Sequence, residues 1–466
     1  MNLSVLRAQI VLLIIGAYLI LNSGFMLVRF PPGTSVGAPV AELLVLFFLM
    51  FVVFDLRRLQ GFAIVAPLTP LLIWWTVGTL QAFRGLELHG IWALRDASHL
   101  IDSFFLWIAF VIAASPNFFE RFSSWLRLVL NLGVFYALLY PFRETLREWS
   151  PRIWAPAGYS APLFFNYVGT SLVPLTAAMA WLVDRVRFLA LPAMVLAGAL
   201  IVYNIVIFQA RITYLQVMML LLVFAFLRPR DAVRMTGSLV VGGILLALLL
   251  TAGVEITGRL GDKFSIDFLF DHFASIWGEY GGGKVSSAAD GVSLRLGWWE
   301  RIWNDLTSSP MNLLFGLGYG IPLTDLRTPE GALVREPHNS FISLAARQGV
   351  VGLVAFMWVQ FALVGSWFRV YRHFEREGNK RWRNNLLIMG TFFLLLTILG
   401  LGQDGFEKPF NAVPFYFFWG VILRAEFEIR ARSGAFAEQP AARGRAVAGG
   451  VVYRREANGG LRGGVQ

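Results

Sequence analysis

MNLSVLRAQIVLLIIGAYLILNSGFMLVRF (1–30) carries one early arginine, Arg7, and then no charge until Arg29. An apolar run of about 20 residues, wound as a helix, crosses about 30 Å of hydrocarbon. No small-residue cleavage site follows the run, so it reads as a first membrane span and not as a removed signal peptide. Comparable runs recur along the chain. The composition agrees: 57% of the 466 residues are hydrophobic and only 15% charged, with a mean hydropathy of +0.62. A water-soluble protein of this length needs far more charge. A transmembrane β-barrel needs apolar–polar alternation over about 10 residues, and no such alternation appears. The expected fold class is all-α, a polytopic transmembrane helical bundle.

Twelve spans are expected, at roughly 6–27, 38–54, 62–82, 99–114, 124–141, 161–183, 187–207, 212–227, 235–253, 339–366, 385–403 and 409–424. They divide the chain into a block of nine helices over 1–253, a long loop at 254–338 that caps the site, three helices within 339–424 and a basic tail at 425–466. The net charge of +11 invites a nucleic-acid reading. The cations instead cluster on alternate loops, at Arg57–Arg58, Arg121, Arg185 with Arg187, Arg228 to Arg234, and in RVYRHFEREGNKRWR (369–383). By the positive-inside rule those loops and both termini are cytoplasmic, with membrane lipids and not nucleic acid as the surroundings. The Gly-rich tail, ending GGVVYRREANGGLRGGVQ, reads as disordered. There is no cysteine, so no disulfide or thiolate site exists.

The other face receives the loops 83–98, 142–160, the turn at Arg211, 404–408 and the long segment 254–338. A connection of that last length is ordinarily functional or disordered. Its middle, EYGGGKVSSAADG (279–291), reads as a linker. In GWWERIWNDL (297–306), Trp299, Ile302, Trp303 and Leu306 recur at helical spacing. Such a helix fits the headgroup layer or packs its Trp stripe on other protein, and the sequence favours neither.

Several motifs fall short. GGGK (281–284) lacks the spacing and hydroxyl residue of a P-loop, and GLGYG (316–320) has no strand–turn–helix context, so it reads as a turn. No His/acid cluster with metal-ligand spacing, no paired aspartates for a sugar-nucleotide metal and no nucleophile elbow are present. No cofactor is implied. What remains are Arg211 at the head of the eighth span, Arg295 at the start of the Trp-rich stretch and His338 in REPHNSFISLAARQGVVGLVAF (335–356). Two guanidinium forks suit a pyrophosphate, and an imidazole accepts a proton near neutral pH. Each is equally an interfacial anchor or a helix-terminal polar residue when taken alone.

Together they carry a resemblance. An arginine heading a span (Arg211) precedes a long external loop bearing Arg295, Trp299, Pro310 and the Gly316–x–Gly318 turn. His338–Asn339 then follows, with Gly349 and Gly352. This pattern, over roughly 205–365, resembles the O-antigen ligase/polymerase superfamily of bacterial envelope glycosyltransferases. It departs at Ala210, where serine is frequent, and near Arg347–Gln348, where an acidic residue is common. The resemblance implies a metal-independent glycosyltransferase with a periplasmic active site. The donor is an undecaprenyl-pyrophosphate-linked glycan. His338 serves as catalytic base, and Arg211 and Arg295 bind the pyrophosphate. The single long loop before His338 is more like a ligase, which uses lipid A–core as acceptor in lipopolysaccharide biosynthesis. The alternatives are an O-antigen or exopolysaccharide polymerase, or a lipid-linked glycan transporter, which would place ionisable residues within spans.

Overall fold

The structure, a computed structural model, describes residues 3–30, 38–50, 56–154, 160–165, 172–184, 190–256, 258, 264–265, 267–268, 271, 284–327 and 333–433. It divides into a unit from Met1 to Phe427 and a second from Glu428 to Gln466. Helices dominate. Among the described residues, five are long and apolar enough to cross a membrane: Leu3–Leu21, Leu191–Phe208, Pro229–Thr251, Ser340–Arg376 and Lys380–Gly402. The pair Phe118–Leu138 and Tyr140–Glu148, bent by 48°, makes a sixth if it is one span. The expected count of twelve is therefore larger than this set, although among the described residues a helix overlaps each expected span. Val40–Met50, Ser98–Ile112, Leu172–Asp184 and Arg211–Leu227 are apolar but short. Leu68–His89 and Pro409–Arg432 lie at two further expected places and carry more polar residues.

The all-α class holds, with two short antiparallel pairs added between helices, Arg29–Phe30 with Ala38–Pro39 and Arg152–Trp154 with Ser160–Pro162. Two other expectations change. The linker expected at 279–291 is helical from Lys284 onward, as the start of Lys284–Thr307; Lys, Val and two Ala in that stretch tolerate a helix that its glycines obscure. Residues 279–283 lie outside the described residues, as does the tail beyond 433. The last helix runs to Arg432, eight residues past the boundary expected at 424.

Local chemistry explains where the helices begin. Asn339, Ser309 and Asn379 each cap a helix through the side-chain oxygen, which accepts from the N–H of Phe341 and Ile342, of Asn312 and of Trp382. Pro310 sits in the first turn of its helix, where a missing N–H costs nothing. The helices Lys380–Gly402 and Pro409–Arg432 are buried on nearly every side and form the centre of the first unit. Pro229–Thr251, by contrast, exposes Val240, Ile244 and Leu248, as a lipid-facing helix would. It meets Ala190–Phe208 backbone to backbone at Gly198 and the Ser238–x–x–x–Gly242 pair, where a Cβ on Gly198 would come within 1.9 Å of the Ser238 carbonyl.

Polar contacts sort the loops into two sets. On one face Arg127 pairs with Asp184 and donates to Asn385, Arg228 donates to Tyr371, and Arg381 reaches the Glu120 carbonyl. On the other, Asp96 meets Gly320 and Arg335, the Ser98 hydroxyl donates to the Glu407 carbonyl, and Tyr140, Phe165 and Phe208 share one apolar cluster.

Candidate functional site

The C-terminus of Lys380–Gly402 leaves carbonyls with no partner inside the helix, and such groups must find donors elsewhere. Here the donors come from the loop and the helix that precede it in sequence. Arg295 Nη1 donates to the Gly402 carbonyl at 3.2 Å, Asn339 Nδ2 to that of Leu401 at 2.9 Å, and Ser340 Oγ to that of Gln403 at 3.3 Å. A guanidinium at this end is also favoured by the helix dipole. Arg295 and the His338–Ser340 turn are thereby fixed to one helix end.

His338 follows Pro337 and precedes the capping Asn339. It adopts a left-handed backbone, φ 55°, that turns the chain sharply into the helix. Only a few non-glycine residues take that conformation, and it is held here from several directions. Trp299 Nε1 donates to the Pro337 carbonyl at 2.9 Å, and the Trp298 ring lies 6.2 Å from the His338 ring. His338 Nδ1 faces Asp404 Oδ1 at 3.2 Å, while Lys408 Nζ holds the other Asp404 oxygen at 2.6 Å. Burial alone would push the Asp404 carboxyl up, but the Lys408 ammonium and the His338 ring hold it well below the usual carboxylate range. An ionised Asp404 accepts a hydrogen bond from Nδ1–H, which selects the tautomer whose Nε2 carries the lone pair. Burial likewise works against the Lys408 charge, and Asp404 and Glu336 more than restore it. Glu407 is different. Burial pushes it up to about 7 against a hydrogen bond from Ser340, with the charges of Asp404 and Glu336 adding to the rise.

Arg211 is the first residue of Arg211–Leu227, and the preceding Ala210 offers no side-chain cap to the open N–H groups. The helix break before it is made by Gln209, again left-handed at φ 44°. Backbone at Gly258 packs so closely on Gln209 that a Cβ there would lie 2.3 Å from the amide carbon. Ile212, the next residue, reaches Gly402, where an added Cβ would meet Ile212 Cδ1 at 3.4 Å. Gln216 Nε2 donates to the Leu395 carbonyl at 2.8 Å and pins the two helices together. Arg211 Nη2 is buried without a hydrogen-bond partner among the described residues. A cation at an uncapped helix N-terminus opposes the helix dipole, whereas an anion placed there would satisfy both.

Of the three residues singled out from the sequence, Arg295 and His338 meet residues 401–404 directly, whereas for Arg211 it is the neighbouring Ile212 side chain that approaches this helix end. The Trp-rich helix resolves in favour of protein packing. Trp298, Ile302 and Leu306 are buried, the last two against Leu323 and Ala346, while Trp303 is exposed. The GLGYG segment is a turn, with Gly316, Gly318 and Gly320 all at positive φ.

Two features were missed. Asp404, Glu407 and Lys408 lie in the six-residue loop 403–408 with no recognisable motif, although three charges between two apolar spans were a usable signal. The second is a buried clamp: Asp96 takes Arg335 at 2.9 and 2.8 Å and Arg347 at 3.0 Å, and accepts the Gly320 N–H at 3.1 Å. Arg335 stands three residues before His338, so the clamp fixes the approach to it. Among the described residues no three His, Asp or Glu side chains gather as a metal would require.

Residues 196–357 match the family model described as O-antigen ligase. The matched stretch contains Arg211, Arg295 and His338 and stops short of Asp404. No curated protein matches the chain.

Proposed function

We propose that this chain, which residues 196–357 assign to the O-antigen ligase family, is a glycosyltransferase that moves a glycan from a polyprenyl-pyrophosphate carrier to lipid A–core. The observation that carries the reading is the His338–Asp404–Lys408 chain, with Arg295 and the Arg211 helix start meeting the same helix end. His338 Nε2 accepts the proton of the acceptor hydroxyl as that oxygen attacks the anomeric carbon. The bond from that carbon to the pyrophosphate breaks, and the carrier pyrophosphate leaves with the electron pair. Arg211 and Arg295 bind it and stabilise its growing charge. Asp404 is a positioning residue, fixing the imidazole tautomer as the acid does in other His–Asp pairs. The site lies on the periplasmic face of the inner membrane, and the electrostatic work falls to arginines in place of a metal ion.

Purified protein given lipid-linked glycan and lipid A–core, without ATP, should form the conjugate. His338→Ala should abolish transfer. Asp404→Asn should lower kcat about a hundredfold or more with KM little changed, because it unsettles the tautomer and not substrate contact. Elongation of lipid-linked repeats with lipid A–core untouched would make the protein a polymerase. Full activity in His338→Ala would remove the base assignment.

A further inference from the structure

A cavity of about 420 Å³ lies beside the candidate site and is shared between the N-terminal helices and the 403–408 loop. Glu336, Glu407 and Lys408 are among its polar lining residues, and Val45, Leu46 and Leu49 among its apolar ones. The volume is that of an ordinary ligand pocket, and its character is amphipathic. Its carboxylates are engaged: Glu42 lies in electrostatic reach of Arg29, Glu336 is 4.0 Å from Lys408, and Glu407 is hydrogen-bonded to Ser340. Arg95 is not so engaged. It is exposed, lies over the Trp92 ring at 4.9 Å, and meets no carboxylate among the described residues. Trp92 also carries the Arg335 guanidinium at 4.8 Å, which joins this wall to the clamp before His338.

We propose that this cavity holds the phosphorylated, acylated end of the acceptor lipid, with a phosphate on Arg95 and acyl chain along Val45, Leu46 and Leu49. The proposal rests on the ligase reading and names where its second substrate sits. Position decides between the two lipid substrates. In the donor, the bond that breaks is made to the pyrophosphate, so the donor headgroup must sit at the reacting nitrogen. His338, Arg211 and Arg295 do not line this cavity. The acceptor differs, because its reacting hydroxyl is on a saccharide extending away from the lipid end. Its anchor must therefore be displaced from His338, as this cavity is. Lys408 links the two places, lining the cavity while holding Asp404 at 2.6 Å.

The test measures both substrates on the full chain in lipid nanodiscs. Arg95→Gln should raise the acceptor KM about tenfold, the loss of one charge-assisted contact, and leave donor KM and kcat unchanged. Leu46→Trp, which fills the cavity without removing a charge, should raise the acceptor KM in the same way. An unchanged acceptor KM in both variants, or a raised donor KM, overturns the proposal. A donor-free arm reads binding of an acylated diglucosamine bisphosphate by native mass spectrometry, with phosphatidylglycerol as competitor. Binding by the wild type that weakens in Arg95→Gln supports the site even if the wild type transfers nothing, in which case only the ligase reading fails. No binding, or equal competition by phosphatidylglycerol, assigns the cavity to something other than the acceptor.

Discussion

In the proposed reaction single residues carry the chemistry, and they differ in how far the sequence exposed them. His338 and Arg295 stand out in the sequence because an imidazole and a guanidinium at span ends have few structural reasons to be there. Asp404 was not, because its meaning is the 3.2 Å approach to a histidine 66 positions earlier. Its neighbour Glu407 supplies a pH dependence whose sign can be worked out. Burial raises its carboxyl from the ordinary 4.5 to about 7 in the folded chain. Between those values the folded state binds more protons than the unfolded state, so stability falls as pH rises through the window. Asp404 contributes no slope there, since its depressed carboxyl stays ionised and its contribution is lost only in strong acid. Melting of the purified protein should therefore shift to lower temperature between pH 5 and pH 7.5, and Glu407→Gln should flatten that shift. Equal slopes in the two proteins would show that Glu407 is not held protonated.

At the scale of elements, hydropathy located the helices and missed how they bend and seat. The Trp stripe illustrates the limit. Periodicity placed Trp299 and Trp303 on the apolar face, whereas the buried line runs through Trp298, Ile302 and Leu306. Two adjacent tryptophans leave the phase of a short helix undetermined until its partner surface, here Leu323 and Ala346, is known. Ser340–Arg376 shows a second limit, since it breaks at Gly349, φ 67°. The break presses against the 314–316 turn: a Cβ at Gly349 would lie 2.4 Å from the Leu314 carbonyl carbon, and one at Gly316 would lie 2.6 Å from the Gln348 nitrogen. Gly378 has a similar φ, 70°, with nothing within 4 Å of its missing Cβ. Gly378→Ala should cost only backbone strain, about 1–2 kcal/mol. Gly349→Ala should cost clearly more, because turn and helix backbones must also separate. Comparing melting temperatures of the two variants checks this, and equal losses would mean the interlock yields without cost.

Across the whole first unit, the N-terminal half enters the site through charge that no local pattern could show. Asp96 binds Arg335 across 239 positions, and Gln81 Nε2 donates to the Phe315 carbonyl at 2.6 Å. A buried carboxylate between two guanidinia is costly to break, which makes the helices up to Asp96 part of the scaffold of His338. These contacts place the 96, 320, 338 and 404 positions on one face, while Arg127, Arg228, Arg369 and Arg381 gather on the other with their partners. In the proposed topology the second face, with its cation excess, is the cytoplasmic one. The absence of cysteine lets single cysteines report this without background. Ser150 would be a poor reporter, being buried, but Glu148 and Asn304 on the first face and Gly378 on the second are exposed. A membrane-impermeant thiol reagent added to intact cells with a permeabilised outer membrane should label Glu148→Cys and Asn304→Cys and spare Gly378→Cys until the inner membrane is opened. Labelling of Gly378→Cys alone would invert the protein and put His338 in the cytoplasm. A donor that presents its glycan on the periplasmic side would then never meet the base.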